Sequence, residues 1–66
     1  MLVDPQVFRW ASVRQQLKLE RIGLRSSGGA LRPRLAKTLG LRPRDSYEVY
    51  IAAVTARLEE ARVQSS

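Results

Sequence analysis

The chain has no cysteine and no histidine. Without cysteine there is no disulfide to brace a small fold and no thiolate to act as nucleophile or metal ligand. Without histidine, the side chain best suited to proton transfer near neutral pH is missing, and a zinc site would have to be built from carboxylates alone. The expectation is a protein with no metal, no cofactor and no catalytic residue. Aromatic residues are few: Phe8, Trp10, Tyr47 and Tyr50. The longest apolar run, Ile51-Ala52-Ala53-Val54, falls far short of the roughly 20 residues that cross a bilayer. No basic stretch followed by an apolar one opens the chain, so a soluble, cytoplasmic protein with no membrane partner is expected.

Acid is also scarce in the middle of the chain. Between Arg9 and Arg44 the only acid is Glu20, set among ten Lys or Arg residues, whereas the segment from Asp45 onward carries four acids and two arginines. The formal net charge of +6 therefore divides into −1 ahead of Arg9, +9 in the middle and −2 at the end. Clustered cations repel one another unless something neutralises them, so this asymmetry points to a polyanionic partner. With 66 residues the chain makes one domain with a thin core, for which dimerisation is a common support.

Three helices can be read from their start and stop signals. Asp4-Pro5 is an N-cap followed by proline at the first helical position, and Gly23 can close the helix it opens, over about 5–22. Ser26-Ser27-Gly28-Gly29 reads as a connector. A short helix over about 30–39 carries Pro33 in its first turn and Gly40 as its stop. Asp45-Ser46-Tyr47-Glu48 reads as a capping box with Asp45 at the N-cap, opening a helix over about 45–63. No segment has the period-two alternation of a strand. The expectation is a single all-α, three-helix domain spanning residues 1–66.

The third helix has an apolar stripe of Tyr47, Ile51, Val54, Leu58 and Ala61, and the second has one of Leu31, Leu35 and Leu39. The first helix has two. Trp10, Val13 and Leu17 form one strip, Phe8, Ala11, Leu19 and Ile22 another, with Arg14, Lys18 and Arg21 between them. Such a helix touches its own core on one side and a partner on the other, or is contacted from both sides within the domain. Trp10, Val13 and Leu17 are the candidate partner or dimer face. If they are buried, charge is the remaining handle. Leu31-Arg32-Pro33-Arg34 returns ten residues later as Leu41-Arg42-Pro43-Arg44, each copy just ahead of or inside a helix start.

Leu35-Ala36-Lys37-Thr38-Leu39-Gly40-Leu41 resembles the first helix and turn of the helix-turn-helix DNA-binding superfamily, over about residues 31–51. Ala36 and Gly40 stand where that family has a small residue and a turn glycine, and Leu35, Leu39 and Leu41 supply the apolar positions. A small side chain lets two helices approach, and glycine relieves the sharp turn. Ser46 stands where the family has a β-branched residue, and Asp45 and Glu48 open the helix that would enter the groove. The resemblance implies a DNA-binding, transcription-regulatory module with a helix-turn-helix-like second half. Its nucleic-acid contacts would be Arg25, Arg32, Arg34, Lys37, Arg42, Arg44 and Ser46, with duplex DNA favoured over RNA.

Other classes rest on fewer residues. Glu59 and Glu60 are adjacent on a helix and point about 100° apart, so they are no catalytic carboxylate pair. The Ser26–Gly29 loop lacks the lysine that ends a phosphate-binding loop. Single-strand or RNA binding usually calls for exposed aromatics. A protein-interaction module docking on an acidic partner uses the same charges. Small arginine-rich chains of this kind resemble accessory proteins of phages or mobile elements, adaptors and inhibitors among them.

Overall fold

The structure is a computed structural model that describes residues 4–24 and 30–65. It consists of α1 (Pro5–Arg21), α2 (Leu31–Leu39) and α3 (Tyr47–Ser65), and among the described residues there is no strand. No helix among them is long and apolar enough to cross a membrane. Arg25 and the Ser26–Gly29 connector, expected to add anion contacts, lie outside the described residues.

Local signals set the helix ends. Asp4 caps α1, its Oδ1 accepting from the Gln6 N–H at 2.8 Å. At the other end Gly23 takes a φ of 78°, a region that favours glycine, and the chain reverses there. Two bonds close the helix, Leu24 N–H to Leu19 C=O at 2.9 Å and Gly23 N–H to Glu20 C=O at 3.1 Å. Gly40, with φ 67°, stops α2, and the Leu41 N–H returns to the Ala36 C=O at 2.9 Å.

The start of α3 differs from the sequence reading. Helix begins at Tyr47, so Ser46 is the residue immediately before it, and the Ser46 hydroxyl accepts from the Val49 N–H at a long 3.4 Å. The Asp45 carboxylate turns back instead and accepts from the Arg42 N–H at 2.9 Å. Asp45 therefore braces the turn ahead of the helix, and the Asp45/Glu48 capping box does not form.

Helices α1 and α3 pack antiparallel along their length. Arg21 meets Glu48 at 3.7 Å near one end, while Gln6 and Trp10 lie beside Ala61 and Gln64 near the other. Between them lies the core: Trp10 and Leu17 from α1 with Tyr50, Val54, Leu58 and Ala61 from α3. Short α2 leans on this pair, burying Ala36 and packing Leu31, Leu35 and Leu39 against the core. The ion pairs Arg21–Glu48 and Arg62–Glu59 (3.2 Å) are solvent-exposed, and pairs of that kind contribute about 0–1 kcal/mol each. Apolar burial, not surface charge, holds the domain together.

Tyr50 ties the core to the α2–α3 connection. Its ring is fully buried and its hydroxyl donates to the Arg42 C=O at 2.6 Å. Burial pushes the phenol pKa above its ordinary 10.0, the Asp45 carboxylate adds to the rise and the Arg32 guanidinium opposes it. The unfolded chain releases this proton near pH 10.0 while the folded chain keeps it. Stability from this group is therefore complete below that pH and falls as pH rises through the folded-state value. Replacing Tyr50 with Phe should cost about 1 kcal/mol at neutral pH for the lost hydrogen bond. Urea unfolding should also show a smaller loss of stability between about pH 9 and pH 11 in the variant than in the parent.

Candidate functional site

Helix α2 and the connection after it carry the densest cations. With Leu31, Leu35, Leu39 and Ala36 turned inward, the roughly 100° step per residue places Arg34 and Lys37 together on the outer face, and both are exposed. Pro33 and Thr38 complete that face. The connection Gly40–Ser46 then presents Arg42 and Arg44, also exposed. Its backbone is pinned at Arg42 from three directions. The Arg42 N–H donates to Asp45 Oδ2 at 2.9 Å, and its C=O accepts from the Tyr50 hydroxyl at 2.6 Å and the Asp45 N–H at 3.0 Å. The Arg42 side chain thus projects from a fixed base, which lowers the ordering cost of any contact it makes.

Arg32 sits differently. It is half-buried, its Nη1 donates to the Asp45 C=O at 2.9 Å, and its guanidinium lies 4.2 Å from the Tyr47 ring centroid. That side chain fastens α2 to the start of α3, in a place where sequence reading expected a nucleic-acid contact. Arg32→Ala should lower stability by about 1–2 kcal/mol through the lost charged hydrogen bond and cation–π contact. A shifted urea midpoint with unchanged slope would register it. Ser46 is exposed, and its hydroxyl is engaged at the front of α3.

The geometry from α2 to α3 does not confirm a helix-turn-helix-like second half. Seven residues, Gly40 to Ser46, separate the two helices, whereas a helix-turn-helix joins them with about 3–4. The outward side of α3 carries Glu48, Glu59 and Glu60, with Ala52 and Ala56 between them, all exposed. A helix with that surface is poorly suited to lie among phosphates. The cations of α2 and the connection form the basic surface without it.

The two strips of α1 are sorted by the fold. Trp10 is 7% exposed, Leu17 is 0%, and Val13 packs against the core. This corrects the reading of Trp10, Val13 and Leu17 as a partner or dimer face: they face α3 and α2. The other strip exposes its two ends, Phe8 at 66% and Ile22 at 60%, while Ala11 and Leu19 are half-buried and Ala11 packs against the core. Phe8, Ala11, Ser12, Gln15, Gln16 and Leu19 line a shallow depression of about 400 Å³ along it.

Arg9, not singled out in the sequence, joins the cationic side from α1. It is exposed, with its guanidinium 5.3 Å from the Trp10 ring centroid. Arg9 and Arg34 line opposite sides of a groove between α1 and α2 whose volume is about 310 Å³. Only tertiary packing brings these two arginines, 25 residues apart, to one place. Among the described residues no group of three or more His, Cys, Asp or Glu side chains gathers to hold a metal. Comparisons with models of protein families, with curated proteins and with solved structures find no match.

Proposed function

We propose that the chain is a non-enzymatic nucleic-acid-binding protein that grips backbone phosphates, duplex DNA above all, with Arg34, Lys37, Arg42 and Arg44. The observation that carries this reading is the shared exposure of these four cations on α2 and the braced connection, while the acids Glu48, Glu59 and Glu60 stand out on α3. Duplex DNA presents one charge per about 1.7 Å of axis, a density that suits a spread of separate cations. Contacts of this kind fix position without reading bases, so binding is largely indifferent to sequence, and a regulatory role would depend on pairing with other factors or copies. Titrating labelled duplex DNA with the protein at about 50 mM salt tests the proposal by fluorescence anisotropy. Saturable binding is the expected result, and a flat trace would remove the proposal.

A protein-docking role is favoured by one separate observation, the apolar strip with exposed Phe8 and half-buried Leu19, bordered by Lys18 on one side and Arg9 on the other. An acidic amphipathic helix suits such a surface. An adaptor of the phage or mobile-element type would use that strip and the basic face together. Phe8→Asp would abolish docking on such a helix and leave DNA binding in place; equal loss of both would count against a second surface.

A further inference from the structure

The groove between α1 and α2 has a chemistry distinct from the open basic surface beside it. Its apolar lining comes from Val13 of α1 and Leu31 and Leu35 of α2, each packed against the core on its inner side. Arg9 stands on the α1 wall and Arg34 on the α2 wall. Gln16 and Thr38 add an amide and a hydroxyl, and among the described residues no carboxylate lines the groove. At about 310 Å³ the space is at the small end of the range for ligand pockets.

An apolar bed between two exposed cations, with a few neutral donors and acceptors, suits a flat heteroaromatic base joined to a phosphate. A base within a duplex is stacked and paired, and its phosphates face outward, so it cannot enter. An unpaired base can, because leaving the stack costs it little. We infer that this groove seats a single unpaired nucleotide at the end of a nucleic-acid duplex. The base lies on Val13, Leu31 and Leu35, its edge meets Gln16 and Thr38, and Arg9 and Arg34 hold the flanking phosphates. The inference rests on the phosphate-binding reading above, with Arg34 shared between groove and surface. It makes the protein a binder of frayed, nicked or overhanging ends in preference to blunt duplex.

The test compares a blunt duplex with the same duplex carrying one unpaired nucleotide, by anisotropy, for the parent protein and for Thr38→Trp. Thr38 is exposed at the groove's edge, so the indole can fill the space without displacing the core. The parent should bind the overhang about fivefold more tightly, the gain expected when a base covers about 40 Å² of the aliphatic surface of Val13, Leu31 and Leu35. In Thr38→Trp that ratio should fall toward one. A methyl spectrum of the parent protein gives a second readout free of any folding concern: Val13, Leu31 and Leu35 should shift with the overhang duplex and not with the blunt one. Equal affinity for both duplexes, with salt-sensitive binding intact, would overturn the groove assignment alone. No binding to either would overturn the phosphate reading with it. A free mononucleotide that shifts the same methyls at the same concentration would overturn the assignment to a nucleic-acid end.

Discussion

Replacing Arg34, Lys37, Arg42 and Arg44 together with Ala should weaken duplex binding at about 50 mM salt by two orders of magnitude or more, with helicity unchanged. Each cation that neutralises a phosphate contributes about 0.9 to the slope of log affinity against log salt. Four such contacts change affinity roughly a hundredfold over a fourfold change in salt, so removing them removes both affinity and salt sensitivity. The side chains are exposed, and among the described residues none of them fastens one helix to another, so circular dichroism should not change. The Arg42→Ala, Arg44→Ala pair alone should remove about half of the slope. Arg32→Ala serves as the counter-case: it should lower stability and leave the slope nearly intact, because its guanidinium is already held by Asp45 and Tyr47.

Leu17→Ala should come close to unfolding the domain. Leu17 has no exposed surface and belongs to the core that α1 forms with Tyr50, Val54 and Leu58 of α3. Truncating a buried leucine costs about 2–5 kcal/mol through lost transfer energy and the cavity left behind. A domain of this length has a total stability of only about 3–10 kcal/mol. Thermal or urea denaturation should therefore show a large fraction of molecules unfolded at 37 °C. A shift of less than about 1 kcal/mol would mean that the helices do not pack through this residue. Phe8→Ala gives the contrast, because 66% exposure leaves little burial to lose.

Features encoded by neighbouring residues were legible in the sequence, and those decided by packing were not. Asp4-Pro5, Gly23 and Gly40 each act within one helical turn, so the ends of α1 and α2 appear where their residues place them. The two strips of α1 were visible as a pattern. Which one faces inward depends on where α3 and α2 lie, and the fold chose Trp10, Val13 and Leu17 for the core. At the start of α3, Asp45 and Ser46 both suit an N-cap. Hydrogen bonding of Asp45 back to Arg42 settled the choice in favour of Ser46. The exposed cations Arg34, Lys37, Arg42 and Arg44 follow from helix periodicity and a proline-containing connection. Arg32 does not, because Tyr47 and the Asp45 carbonyl reach it only in the folded state. Arg9 was missed for the same reason, since its partner Arg34 lies on another helix.

The most direct measurement is the affinity of the full chain for a short labelled duplex, followed from about 50 to 200 mM salt. Four phosphate contacts give a slope of log affinity on log salt of about −3 to −4, hence a fall of roughly a hundredfold across that range. No saturable binding at the low end, or an affinity that stays level as salt rises, would contradict a phosphate-gripping surface on α2 and its connection to α3.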